Sequence, residues 1–296
     1  MSKRSNYIAS YASYPLLWLI YLLSVLPMSM LYFLSNGIYF LLYRVFAYRV
    51  AVTRGNLKNA FPDKSDFERL EIERKFYRHL SDVVVETIKS FTITEKELKR
   101  RMVLLNPEVL AEFFNKKRKM IAVTGHFANW EWAAITLPFQ SNYHPQGVYL
   151  PIKNHVFNHA MIKSRSRFGI DLLHAGKMKD EMELRKDKLS ITGFIADQSP
   201  SNPDNGYWIN FLNQETSVAR GTEKYARLYN MAVAYGVIKK IKRGYYTLEY
   251  KVVAEEAELT KDSEITKIHT GILENLILNQ PECWLWSHKR WKHKRK

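Results

Sequence analysis

Apolar and polar positions divide this chain into three stretches. The first carries no charge: from Arg4 to Arg44 no ionisable Asp, Glu, Lys or Arg intervenes, and residues 15–43 are rich in Leu, Ile, Phe, Trp and Tyr. About 20 apolar residues in a helix cross a hydrocarbon core. This stretch therefore predicts one tilted membrane span or two shorter re-entrant helices hinged near Pro27, with Gly37 as a second interruption. A buried helical hairpin of a soluble protein is the alternative. The run is too long for a cleavable signal peptide, and no small-residue cleavage site follows it.

The second stretch is helical. Residues 54–62 read as a helix stopping at a Pro62 turn. Residues 65–89 place Phe67, Leu70, Phe76, Leu80, Val83, Val84 and Ile88 at helical intervals with charges between them. Another helix is predicted over 106–117. From Met120 onward strands and helices alternate. Short buried strands are expected at Met120–Thr124, 147–150, 170–173 and 189–196, and helices at 127–137, 156–168, 177–186 and 218–230. Such alternation predicts an α/β fold with a largely parallel sheet. Residues 231–241 and 245–253 form a longer strand pair joined at Lys242-Arg243-Gly244, hence a hairpin at or near a sheet edge. A closing helix covers 265–278. There is no long linker, repeat or low-complexity tract, so the expected division is an N-terminal membrane anchor over 1–48 and one domain over 49–296.

Composition narrows the partners. With 296 residues, 46% hydrophobic and 25% charged, the chain can bury a sizeable core. The net charge of +16 calls for an acidic partner: nucleic acid, anionic lipid, or an acidic protein or substrate. One cysteine, Cys283, excludes an internal disulfide and a cysteine-based zinc site, and fits a reducing cytosol. Lys3 and Arg4 precede the apolar stretch and Arg44, Arg49 and Arg54 follow it, a bias that favours a cytoplasmic bulk if the stretch spans.

The candidate chemistry sits after the strand Met120–Thr124. His126 lies where that strand turns toward a helix, and Glu131 in the helix's first turns. Ligands of open α/β sheets bind at strand carboxyl ends, and an imidazole takes a hydroxyl proton near neutral pH. A carboxylate on its other nitrogen would fix the tautomer. On a regular helix the two would point about 140° apart. They meet only if His126 occupies the turn, which Gly125 permits, and Glu131 reaches back. A structural histidine is the alternative for this spacing.

Taken together, Gly125-His126-Phe127-Ala128-Asn129-Trp130-Glu131, Arg54-Gly55-Asn56-Leu57 with Ala60-Phe61-Pro62, Ile195-Ala196-Asp197-Gln198, and Trp284-Leu285-Trp286-Ser287-His288-Lys289-Arg290-Trp291-Lys292 resemble, in order, the motifs of the bacterial lipid A late acyltransferases, the lauroyl/myristoyl family. The resemblance implies a glycerolipid-acyltransferase-like α/β sheet flanked by helices, with an N-terminal membrane-embedded helix or helical hairpin. It implies transfer of a fatty acyl chain from acyl carrier protein, or sometimes a coenzyme A thioester, to a lipid hydroxyl. No cofactor is needed beyond that co-substrate. His126 would be the general base and Glu131 its orienting partner, with no enzyme nucleophile. The expected location is the inner membrane, facing the cytoplasm. The expected acceptor is a lipid A precursor, with a lysophospholipid, aminolipid or other glycolipid as alternatives.

Around that pair, Asn129 is a substrate-binding candidate within the motif. The family often places an Arg where this chain has Leu150, so Lys153 is the substitute cation, lacking the guanidinium fork. Arg165 and Arg167 match the family's basic helix end and are candidates for an acceptor phosphate or the acidic carrier; a solvated face is the alternative. Asp197 and Gln198 are candidates for organising the acceptor, with a cap or turn role for Asp197 equally open. Arg220 with Gly221 opens a helix whose N-terminus suits an anion. His288 reads as structural. Trp286 and Trp291 among the C-terminal Lys and Arg residues suit an anionic membrane, and the runs 116–119 and 239–243 extend that surface or receive the carrier.

Three rivals differ in class. A nucleic-acid-binding module explains the charge but not the uncharged segment or the His/Glu pair, and no zinc-finger, RNA-recognition or G-x-x-G motif is present. A zinc hydrolase needs three ligands at defined spacings that the other histidines lack. A purely structural anchored protein leaves the ordered motifs to coincidence.

Overall fold

The computed structural model describes residues 13–295. Lys3 and Arg4, the expected upstream flank, and Lys296 lie outside them. The apolar stretch forms two helices, α1 (Ser13–Ser24) and α2 (Met28–Tyr39), the second continuing as a π-helical turn over Phe40–Val45. Pro27 sits at the N-cap of α2 with extended backbone, because a proline continues no helix upstream of itself. The expected hinge is therefore present. Among the described residues no single helix is long and apolar enough to cross a membrane, so one uninterrupted tilted span is not formed. Met28–Val45 and Val50–Ala60 reach that length and composition only together, bent by 86°.

The helical pair is tied to the rest of the protein on one side. The long helix α4 (Asp66–Lys89) follows α3 (Val50–Ala60). It opens on a capping box: Glu68 N–H donates to Ser65 Oγ, and Glu68 Oε2 accepts from Ser65 N–H. Against α4, Leu31 is fully buried, Ser35 Oγ donates to Asp82 at 2.7 Å and Tyr32 Oη donates to Glu86 at 2.7 Å. Lys89 Nζ donates to the Ser24 carbonyl at the end of α1 and to the Leu26 carbonyl just beyond it. Thr92 Oγ1 also donates to the Ser24 carbonyl, so carbonyls at this helix end find partners. The other side is apolar and bare: Trp18 is 74% exposed and Phe33 77%.

The remaining elements are α5 (Glu95–Arg101), β1 (Met102–Leu104), α6 (Pro107–Asn115), β2 (Met120–Thr124), α7 (Trp130–Thr136), β3 (His144–Tyr149), α8 (His155–Ser166), β4 (Asp171–His174), α9 (Met178–Leu184), β5 (Ser190–Ile195), β6 (Gly206–Phe211), β7 (Gln214–Ala219), α10 (Gly221–Leu228), β8 (Ala232–Lys242), β9 (Tyr245–Ala254) and α11 (Glu264–Asn279). Seven strands form one sheet in the order β1-β9-β8-β2-β5-β3-β4, parallel except for the β8–β9 hairpin. This is the expected mixed α/β architecture. The short β1 adds beyond β9, so the hairpin lies near the edge as expected, one strand in. One feature differs from the sequence expectation. Residues 218–219 belong to β7, which pairs with β6 in a separate two-stranded ribbon, so the helix predicted from 218 starts at Gly221.

Sheet register aligns side chains. Ala122 pairs with Gly193, Gly193 with Gly147, and Gly147 with Leu172, so these four stand in one row on one face. Tyr235 on the opposite face lies with His269 and Leu273 of α11. Between the first face and α7 the protein leaves a cavity of about 510 Å³.

Candidate active site at the end of strand β2

The loop from Gly125 to Asn129 is held by distant parts of the chain. Ala128 N–H donates to the Cys283 carbonyl at 2.9 Å, and Phe127 forms an antiparallel bridge with Trp284. His79, with Nε2 3.2 Å from the Ala128 carbonyl, supports the loop from α4; burial lowers the His79 pKa to about 3, assisted by Lys240, so this ring is neutral. Ala128 itself takes φ +51°, a strained value for a residue with a Cβ. Asn129 then caps α7, accepting from Trp132 N–H at 2.8 Å and donating to Glu86 Oε2 at 2.6 Å. Asn129 is wholly buried and takes no part in the cavity wall. Its expected substrate contact is thus replaced by a structural one, because its amide is spent on the cap and on Glu86.

His126 emerges from this loop with its side chain 20% exposed. Its Nδ1 lies 2.7 Å from Asp197 Oδ1, and its Nε2 faces the cavity, 3.4 Å from Gln198 Nε2. The expected pairing with Glu131 is not made. Glu131 instead receives two parallel bonds from Arg165, Nη2 to Oε1 at 2.6 Å and Nε to Oε2 at 3.0 Å. The physical reason is direction: once α7 begins at Trp130, Glu131 in its first turn points toward α8, and the planar guanidinium of Arg165 matches both its oxygens. The neighbouring strand β5 ends level with β2 (Thr124 pairs with Ile195), which brings Asp197 beside His126.

Asp197 is buried and doubly held, since Trp284 Nε1–H donates to its Oδ2 at 2.9 Å. Burial alone would raise its pKa, but the His126 charge and hydrogen bond and the Trp284 bond prevail and hold the carboxyl at about 2. Burial alone would lower the pKa of His126; the Asp197 charge and hydrogen bond, with a smaller push from Glu131, prevail and raise it. With Asp197 ionised, Nδ1 carries the proton it donates, leaving the Nε2 lone pair toward the cavity. That arrangement can accept a proton from a hydroxyl placed there.

The early and late motifs meet behind Asp197. Asn56 Nδ2 donates to the Trp286 and His288 carbonyls at 2.8 and 3.0 Å, and Arg49 to that of Ser287 at 3.0 Å. Arg54 makes two bonds to buried Glu73 at 2.8 and 3.1 Å. Arg290 Nη1–H reaches Thr216 and Ser217. Trp284 is thereby fixed, and with it Asp197. Trp284 belongs to the C-terminal motif, but its role as a donor to Asp197 has no sequence signal, because the two lie 87 positions apart.

Other expected site residues divide. Arg165 and Gln198 line the cavity. Arg167 turns away, donating to the Ser90 and Ile93 carbonyls at 2.8 and 3.1 Å after the end of α4, and does not line it. Arg220 pairs with Asp262 and does not line the cavity, although the preceding Ala219 does. Lys153 is exposed on the loop after β3 and lies off the cavity wall, whereas Leu150 is at its mouth and 74% exposed. Among the described residues no group of three His, Cys, Asp or Glu side chains could hold a metal ion.

Known proteins place this arrangement. The family model for bacterial lipid A biosynthesis acyltransferase matches residues 2–293. The lipid A biosynthesis lauroyltransferase of Escherichia coli K12 is 22% identical over 284 residues, covering 94% of this chain and 92% of that protein. The palmitoleoyltransferase of the same strain is 21% identical, covering 90% and 86%. A lipid A biosynthesis acyltransferase of Haemophilus influenzae is 21% identical, covering 82% and 78%. A match over nearly the whole chain leaves one conclusion: this chain belongs to the bacterial lipid A biosynthesis acyltransferase family.

Proposed function

We propose that the protein transfers a fatty acyl chain from an acyl thioester on acyl carrier protein to a hydroxyl of a lipid A precursor, with His126 as general base. The observation that carries this reading is the His126–Asp197 pair at the head of a largely apolar cavity of about 510 Å³. Such a volume suits a lipid-sized chain. The acceptor O–H gives its proton to His126 Nε2 as the oxygen attacks the thioester carbonyl carbon. The C–S bond then breaks, and the imidazolium returns the proton to the departing thiolate. Asp197 stabilises the imidazolium in between. Gln198 Nε2 and the Arg165–Glu131 pair stand beside the reacting atoms, where they orient the acceptor.

The same reading makes residues 1–48 the membrane-associating element and 49–296 the catalytic domain, working at an anionic cytoplasmic surface. Exposed Trp18, Leu22 and Phe33 form an apolar face of a kind that soluble monomers rarely leave bare. Leu150 and Ile152, also exposed, lie at and beyond the cavity mouth. Asn154 Nδ2, in the same loop, bonds Ser13 Oγ at 2.8 Å, so the mouth and α1 are neighbours. An acyl chain then enters from the lipid side without crossing water. Flotation with vesicles containing anionic phospholipid tests this: the wild type should float through high salt. A Trp18→Asp/Phe33→Asp variant should lose about tenfold or more in partitioning, given about 1.5–3 kcal/mol for each large side chain buried. Salt-extractable wild-type binding would refute apolar insertion.

The activity test is direct. Purified protein, lauroyl-acyl carrier protein and a lipid A precursor should yield a product heavier by one acyl group. Lipids of cells lacking the protein should lose that species. A mass change confined to lysophospholipid, aminolipid or other glycolipid products would overturn the lipid A acceptor and keep the acyl transfer. No change in any lipid would overturn both.

A further inference from the structure

Three glycines in three strands open onto the cavity below His126: Gly147 in β3, Gly193 in β5 and Gly236 in β8. Gly147 and Gly193 are register partners. None has the positive φ that would demand glycine. A Cβ built at Gly193 meets nothing nearer than the Gln146 carbonyl at 3.6 Å, and one at Gly147 meets Ile170 and Leu172 at 3.5 Å. At Gly236 it would meet a Leu248 methyl at 3.3 Å, a neighbour able to shift. Backbone geometry and packing therefore tolerate a Cβ at Gly147 and Gly193, and at Gly236 with a small shift of Leu248. A strand-interior glycine weakens its strand and often marks the close approach of a ligand. Ala122 continues the Gly147–Gly193 row onto β2, where its partner in β8 is Ala234; Gly236 lies two residues further along β8, on the same face. Ala133 and Ala134 of α7 face this strip from the roof. The cavity wall draws on six adjacent strands, β4 through β9, about 24 Å across at the spacing of paired strands. His126 stands over β2, within that span. The β9 end is closed by buried Leu248 and Tyr250, whose Oη donates to Gln140 Oε1 at 2.7 Å.

We propose that the strip formed by the Gly147–Gly193–Ala122 row, with Gly236 two residues further along β8 on the same face, is the bed of the acyl chain being transferred, and that the missing side chains set which chain length the enzyme accepts. A flat, side-chain-free strip lets a linear chain lie against the strand backbone. Any Cβ-branched or longer side chain there would fill the room of one or more methylenes. The inference rests on the acyltransferase reading and adds its specificity determinant.

The test uses the full-length purified enzyme with a donor series from decanoyl- to palmitoyl-acyl carrier protein, at one fixed acceptor. Gly193→Leu and Gly147→Val should shift the optimum to shorter donors, with kcat/KM for the longest chain that the wild type accepts falling about tenfold or more relative to decanoyl. Gly193→Ala, whose Cβ has ordinary contacts, should keep its melting temperature and still move that ratio by about fourfold, the worth of one methylene. Folded variants with the wild-type donor profile would overturn the proposal. So would an effect confined to acceptor KM, which would place the acceptor's own chain on this row. A wild type that transfers no acyl group at all would instead overturn the acyltransferase reading, so the two failures are distinguishable.

Discussion

Asp197→Asn is expected to lower kcat/KM by about 10³–10⁴-fold in a protein that still folds, the scale seen when the orienting carboxylate of a hydrolase triad becomes an amide. The reason lies in the count of acceptors. Asp197 accepts from His126 Nδ1–H through Oδ1 and from Trp284 Nε1–H through Oδ2. Asn has one oxygen, so keeping Trp284 turns the amide NH₂ toward His126. Nδ1 must then accept, the proton moves to Nε2, and the nitrogen facing the cavity loses the lone pair that would take a hydroxyl proton.

The pH profile carries a second signature of the same variant. The pair raises the His126 pKa above its ordinary 6.5, and the base works only when neutral, so wild-type kcat/KM should rise with pH through that raised value. Removing the Asp197 charge lets burial dominate and moves this limb to lower pH. Glu131→Gln should move it less, because Asp197 is the larger electrostatic influence on the ring, and its effect should fall on KM through the unpaired Arg165. An Asp197→Asn protein with wild-type rate and profile would reject Asp197 as the orienting group. Stability follows the same linkage. The depressed Asp197 contributes stability that is complete above its ordinary value of 3.8 and lost as pH falls toward about 2. The raised His126 contributes stability complete below 6.5 and lost as pH rises through its folded value.

His126→Ala should lower transfer by about 10²–10⁴-fold, the usual worth of a general base, with substrate KM little changed. The variant should keep its fold, since the loop is held by main-chain contacts of Phe127 and Ala128 with the Cys283–Trp284 segment and not by the imidazole. It removes the imidazole donor from Asp197, which keeps Trp284 and the main-chain N–H of residue 126, a loss of about 1–3 kcal/mol for a buried acceptor. A modest fall in melting temperature alongside the loss of turnover is therefore the expected pair of results. Wild-type turnover by the folded variant would remove His126 from the chemistry.

Local pattern was enough for much of the fold. The run Met120–Thr124 is apolar throughout because a parallel strand is covered on both faces, and it is a strand with those limits. Ser65 and Glu68 mark the start of α4 through a cap made within four residues. Pro27 sets the break between α1 and α2 through its own ring. The β6–β7 ribbon escaped because its turn, Leu212-Asn213 with φ of +52° and +62°, holds no glycine. Alternation of Tyr207, Ile209 and Phe211 was the signal that could have found it.

For the site, the chain alone fixed the histidine, the turn it occupies and the ordered motifs that identify the family. It also fixed the charge-free N-terminal stretch, since composition is independent of folding. Which carboxylate meets the imidazole was decided only in three dimensions. Glu131 is five positions away yet α7 turns it to Arg165, whereas Asp197, 71 positions away, is delivered by the parallel pairing of β5 with β2. The same holds for the amide of Asn56 that steadies the Trp286 and His288 carbonyls from 230 and 232 positions upstream, and for glycines that share a cavity only through strand register. Spacing along a chain constrains directions over a turn or two of helix; beyond that, contact is set by how strands pair and helices pack.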